Sequence, residues 1–146
     1  MKVAIGCDHR GLLVKQKVMD FLHDSDYVYH DYGCYNTDSV DYPDIAKEVS
    51  ENVSSGSSEK GILICGTGIG MSIAANKLRG IRAALCYDVP AASRARKHND
   101  ANILCLKGED IETSTALDIV RTFLSTNFEG GRHLRRINKI TTLETS

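Results

Sequence analysis

The sequence has no excess of charge of either sign, no long apolar run and no paired cysteines, and each absence removes a class of function. Eighteen basic against nineteen acidic residues give a formal net charge of −1 at pH 7. No polyanion-binding surface is indicated, so nucleic acid is not an expected partner. No apolar stretch approaches the length of a membrane span, and the first residues run straight into a strand pattern where a secretory leader would be basic and then apolar. A cytoplasmic protein with no membrane partner is expected. The five cysteines stand singly with no C-x-x-C pair, so neither a disulfide framework nor a zinc site is expected. No low-complexity linker interrupts the chain and 42% of its residues are hydrophobic, which predicts one domain spanning 1–146.

What is present centres on Gly61-Ile62-Leu63-Ile64-Cys65-Gly66-Thr67-Gly68-Ile69-Gly70-Met71 and the alanine-rich segment that follows to Lys77. A buried strand runs into glycines at alternate positions and then into residues of good helix propensity. Strand, tight loop and helix in that order turn backbone N–H groups toward one spot beyond the strand's carboxyl end, where an anion fits. Cys65, the last strand residue, would place its sulfur at the lip of that hole, where a thiolate is favoured. A cysteine ending an apolar strand also reads as a small buried hydrophobe. The loop departs from the dinucleotide fingerprint because Met71 stands where the third glycine belongs, although Asp88 follows at roughly the 20-residue distance that fingerprint uses.

Five strand-like runs alternate with helical patterns. Lys2 to Cys7 is a short buried strand, followed by Asp8-His9-Arg10-Gly11 and a helix whose inner face is Val14, Val18, Phe21 and Leu22, with Lys15 on the solvated side. Asp8 suits a helix cap; His9 and Arg10 sit where open α/β sheets bind ligands. Tyr27 to Tyr32 is more polar and belongs near an edge, and Pro43 opens the next helix. Ile81 to Cys86 is a fourth strand, Asp88 and Pro90 start a helix ending near His98, and Asn102 to Leu106 is the fifth strand. A helix from Asp110 to Thr126 precedes a last one beginning at Arg132, with Leu134, Ile137 and Ile140 as its packing side and Arg132 and Arg136 on a shared face. The fold class this predicts is α/β: a Rossmann-like three-layer sandwich with a five-stranded parallel sheet and a C-terminal helix. A thiol, an anion hole, an imidazole and an arginine fork together suggest proton abstraction beside a carbonyl.

Six segments in register carry a family resemblance: Gly6-Cys7-Asp8-His9, Asp41-Tyr42-Pro43, Ile64-Cys65-Gly66-Thr67-Gly68-Ile69-Gly70 through Asn76-Lys77, Gly80-Ile81-Arg82-Ala83, His98-Asn99-Asp100-Ala101-Asn102 and Glu129-Gly130-Gly131-Arg132-His133. Together they resemble type B ribose-5-phosphate isomerase, a family that extends to galactose 6-phosphate and allose 6-phosphate isomerases. The resemblance implies an aldose–ketose isomerase of the pentose phosphate pathway with Cys65 as base. It implies that Thr67 assists proton movement between the two oxygens and that Gly66, Gly68, Ile69 and Gly70 hold the enediolate. His98 would open the sugar ring and Asp8 would hydrogen-bond the sugar. His9, Arg132 and Arg136 would bind phosphate, and Tyr42 and Asn99 would line the sugar pocket. The family's alternative glutamate base falls at Met71, which cannot abstract a proton.

The resemblance further implies no metal and no cofactor, and a homodimer or tetramer in which His98 and Asn99 face the Cys65 of a partner chain. Many members carry Gly-x-Arg after the fifth strand, whereas this chain has Lys107-Gly108-Glu109; either Lys107 or Arg135 replaces that arginine, or the contact is absent. A six-carbon substrate such as allose 6-phosphate is the alternative within this chemistry, and a nucleotide-binding module the alternative outside it.

Overall fold

The computed structural model describes residues 1–145, in which five strands and six helices follow the predicted order. β1 (Lys2–Cys7), β3 (Lys60–Cys65) and β5 (Ile103–Lys107) occupy the middle of an all-parallel sheet of order β2-β1-β3-β5-β4. The more polar β2 (Val28–Asp31) lies at one edge, as its sequence predicts. At the other edge β4 (Ala83–Leu85) is shorter than the apolar run from Ile81 to Cys86, because the Arg82 and Ala83 amides donate to the side chains of Asn102 and Asn76, each at 2.8 Å.

Strand side chains alternate between two cores, since both faces of the sheet are covered. Val3, Ile5, Cys7, Ile62, Ile64 and Leu104 pack under α1 (Leu12–Asp24), α4 (Val89–Lys97) and α5 (Thr113–Ser125). Ala4, Leu63, Cys65, Ile103 and Cys105 pack under α2 (Tyr42–Ser54) and α3 (Ile69–Ala75). The result is the three-layer α/β sandwich read from the sequence, with α6 (Arg132–Leu143) added at the end. Among the described residues no helix is long and apolar enough to cross a membrane.

Three local expectations are corrected. Lys15 is not solvated: it is 1% exposed, its Nζ lying 2.7 Å from Asp31 Oδ1 and donating to the Cys34 carbonyl at 2.5 Å. These partners lie 16 and 19 residues away, beyond the reach of helix periodicity. Asp8 does not cap α1, which starts after Gly11; its Oδ1 accepts from the Arg10 amide at 2.9 Å and stiffens the turn leaving β1. On α6, Ile137 is buried but Leu134 and Ile140 are 48% and 44% exposed, the inward partner being His133. Asp88 does cap α4 as expected, accepting from the Ala91 amide at 2.8 Å.

Candidate active site

The sheet reverses its strand order between β1 and β3, and such a switch point opens a crevice at the strands' carboxyl ends. A cleft of about 570 Å³ lies there, and its walls include Asp8, His9, Tyr42, Cys65, Gly66, Thr67, Ile69 and Gly70, all singled out in the sequence. Arg10, Ser39, Val40 and Asp41 complete it. The volume is that of a small-molecule site.

Each wall residue is fixed by its local structure. The register β1–β3 sets Cys7 beside Ile64, so Asp8 comes level with Cys65 as the two strands end. Asp8 and Cys65 are each only 5% exposed. His9 Nδ1 accepts from the Val40 amide at 3.3 Å, which ties the loop before α2 to the rim. Thr67 Oγ1 accepts from the Ile69 amide at 3.1 Å, and the Thr67 carbonyl accepts from the Tyr87 hydroxyl at 2.8 Å. Gly108 and Glu109 amides donate to the carbonyls of Cys65 and Gly66 at 2.7 and 3.3 Å, which pins the start of the glycine loop to the turn after β5.

The glycines are required by space as well as by conformation. Gly68 has φ of 79°, and a Cβ there would stand 2.6 Å from Leu85 Cδ1 and 2.9 Å from the Leu106 carbonyl oxygen. A Cβ on Gly70 would meet the Tyr42 ring at 2.5 Å, so the ring lies directly against the loop. Met71 is fully buried in the core beneath α3.

A second cluster lies elsewhere in the chain. Each helix between parallel strands carries the chain back to the sheet's amino-terminal edge, so His98, at the end of α4 and just before β5, stands at the edge opposite Cys65. His133 of α6 stacks on it, with ring centroids 4.4 Å apart and planes 14° from parallel. Arg132 and Arg136 are exposed beside them, and Asn99 lines a neighbouring groove of about 690 Å³ between the β4 edge and α6. One chain therefore does not bring Cys65 together with His98, Asn99, Arg132 and Arg136. Nor do the proposed replacements for the family arginine reach the cleft. Lys107 Nζ sits over the Tyr87 ring at 4.8 Å, and Arg135 lines a separate hollow on α6.

Among the described residues, His98, Glu129 and His133 offer ligand atoms within 4.8 Å of one another, a spacing a metal ion could draw together. The surroundings oppose a cation. Burial, then His98 and Arg132, hold the His133 imidazole below its ordinary pKa, with Arg136 adding to them and Glu129 opposing. Desolvation and the neighbouring arginines both disfavour added positive charge there. Because the unfolded imidazole binds protons more readily, stability contributed at His133 is complete above about pH 6.5 and lost as pH falls through the lower folded value. The thermal midpoint should drop on acidification below that pH, and His133→Gln should flatten the drop. Helical spacing does not mark His133 as a packing residue, because stacking between residues so far apart leaves no local pattern.

Three of the four other thiols are poor competitors for chemistry at Cys65. Burial pushes the Cys7 thiol up to about 12, Cys86 to about 11, and Cys105 upward as well. Cys7 faces the opposite core from Cys65, with its sulfur 3.9 Å from that of Cys34. One equivalent of iodoacetamide at pH 8 is expected to label Cys65 before Cys7, Cys86 or Cys105, as read by peptide mass mapping.

A parallel α/β sheet with a thiol, a hydroxyl and an imidazole gathered in its switch-point crevice defines a small-molecule enzyme. The chain belongs to the ribose/galactose isomerase family, whose profile it matches over residues 3–140. It is 41% identical over 143 residues to ribose-5-phosphate isomerase B of Escherichia coli, covering 98% of this chain and 96% of the relative. The structure of ribose-5-phosphate isomerase B from Clostridium thermocellum matches with a TM-score of 0.98 at 49% identity, covering 99% of this chain and 98% of the other. The Mycoplasma genitalium ribose-5-phosphate isomerase B, solved with ribulose-5-phosphate bound, matches at 0.95 and 42% identity, covering 99% and 97%. This chain is thus a sugar-phosphate isomerase.

Proposed function

We propose that the protein interconverts ribose 5-phosphate and ribulose 5-phosphate through an enediolate, with Cys65 as the base. The observation that carries this reading is the placing of Cys65 and Thr67 in one cleft with Asp8 and His9, in a family with a member that holds ribulose 5-phosphate. His98 opens the furanose by moving a proton between the ring oxygen and the C1 hydroxyl, while Asp8 holds the sugar hydroxyls. The Cys65 thiolate takes the C2 proton of the open aldehyde. The C2–H electron pair becomes the C1–C2 double bond, and charge moves onto the carbonyl oxygen, where the amides of Gly66, Gly68, Ile69 and Gly70 receive it. Thr67 passes a proton between the two oxygens, and Cys65 returns its proton to C1. His9, Arg132 and Arg136 hold the phosphate, and Tyr42 and Asn99 wall the sugar.

The reaction as written needs no metal and no cofactor. It needs both clusters, so the working unit is a homodimer or larger assembly, each copy a single domain working in the cytoplasm and lending His98 and Asn99 to its partner's cleft. Isologous pairing does this twice with one contact. Exposed Ile69 and Ile73 on α3 and Leu134, Ile140 and Leu143 on α6 support such an association.

The test is an assay of purified protein with ribose 5-phosphate, following ribulose 5-phosphate, with EDTA present. Metal-independent turnover is expected. A folded protein inactive on ribose 5-phosphate but active on allose 6-phosphate would move the substrate to six carbons. Inactivity on both would overturn the reading.

A further inference from the structure

The structure assigns Arg10 a binding role: we propose that its guanidinium is the phosphate-holding charge on Cys65's own side of the cleft, kept in place by Glu109 until substrate arrives. This deepens the proposed function and rests on it for the sugar, though not for the anion.

The backbone at Arg10 is immobilised. Its amide donates to Asp8 Oδ1 at 2.9 Å, and the Gly11 amide donates to the Asp8 carbonyl at 3.0 Å. The turn after β5 presses on the same place: a Cβ on Gly108 would stand 2.6 Å from the Arg10 carbonyl oxygen. From this base the side chain lies along the glycine loop, for a Cβ on Gly66 would be 3.1 Å from Arg10 Cδ and 3.6 Å from Nη1. The guanidinium is therefore in the cleft, over the loop that begins at Cys65.

Its partner there is Glu109, with Nε 3.7 Å from Oε1 and the two side chains 60% and 50% exposed. That separation exceeds a hydrogen bond, and an exposed pair of this kind is weak. A phosphate monoester, with a second charge and three oxygens that match the guanidinium fork, would displace the carboxylate. The charges within one chain point the same way. Of the ionisable groups that one chain sets along this cleft, Asp8 and Asp41 are acidic and Arg10 is the one permanent cation, so on Cys65's side it is the group able to offset a phosphate dianion.

The experiment measures inorganic phosphate affinity by calorimetry, and KM and kcat for ribose 5-phosphate, in wild type, Arg10→Gln, Arg10→Lys, Glu109→Gln and the Arg10→Gln/Glu109→Gln double variant. Arg10→Gln should weaken phosphate and raise KM about tenfold or more, with a smaller fall in kcat; Arg10→Lys should recover part. Glu109→Gln should tighten phosphate a few-fold at low salt, and in the double variant that gain should shrink, because the part of it that comes from freeing Arg10 is lost. Unchanged phosphate affinity in Arg10→Gln, or a Glu109→Gln gain undiminished in the double variant, overturns the proposal. Phosphate binding that depends on Arg10 in a protein inactive on ribose 5-phosphate would leave Arg10's role standing and sink the sugar assignment instead.

Discussion

Cys65→Ala is expected to reduce turnover of ribose 5-phosphate by about a thousandfold or more while changing substrate affinity less than about threefold, since a positioned general base contributes on the order of 10²–10⁴. The side chain is 5% exposed at the end of a central strand, and its sulfur is the one thiol that borders the cleft. On the proposed mechanism, removing it takes away the proton acceptor and leaves Asp8, His9 and the glycine loop where they are. Thermal unfolding should move little, because losing one sulfur from a strand end costs about 1 kcal/mol. Isothermal titration with ribose 5-phosphate beside the rate assay separates the two effects. Loss of binding together with turnover would make Cys65 a structural or recognition residue.

Gly68→Ala is the second large effect, and it acts through the backbone. The substitution meets two obstacles: φ of 79° is strained for any side chain, and the new Cβ would stand 2.9 Å from a carbonyl oxygen that belongs to strand β5 and cannot move aside. Together they should destabilise the protein by about 2–4 kcal/mol. Turnover should fall by about a hundredfold or more, the usual scale for disturbing one donor to a developing oxyanion. Gly56→Ala is the control. Gly56 has φ of 83° with nothing within 4 Å of a Cβ, so that variant carries the conformational strain alone and should keep full turnover. Equal rates for the two variants would remove the glycine loop from the chemistry.

The sequence and the structure agree where the information is local. Apolar runs at Lys2–Cys7, Lys60–Cys65 and Ile103–Lys107 can be buried on both sides only in a parallel sheet under two helical layers, and they are. The loop from Gly66 to Gly70 is legible because alternate glycines after a strand leave few other conformations. The separation of His98 from its own chain's Cys65 follows from the family resemblance and not from local pattern. Residues after a strand and residues before one look equally close to the sheet in sequence, yet they lie at opposite edges. Asp8 and His9 therefore share a cleft with Cys65, and His98 does not. The burial of Lys15 leaves no local pattern for a related reason: it depends on Asp31 and the Cys34 carbonyl, which only the fold brings near. Leu134 and Ile140 have the spacing of a packing stripe, but within one chain the body of the protein meets α6 through His133 and Ile137.

The central claim is that Cys65 moves a carbon-bound proton through an enediolate, and isomerisation in D2O tests it most directly. Ribose 5-phosphate is brought to equilibrium over many turnovers, and the recovered pentose phosphates are examined by NMR at C1 and C2. Deuterium should accumulate at those carbons with wild type and be absent with Cys65→Ala over the same time. Full conversion by wild type with no deuterium at either carbon would mean that hydrogen passes directly between them, and Cys65 would have no proton to carry.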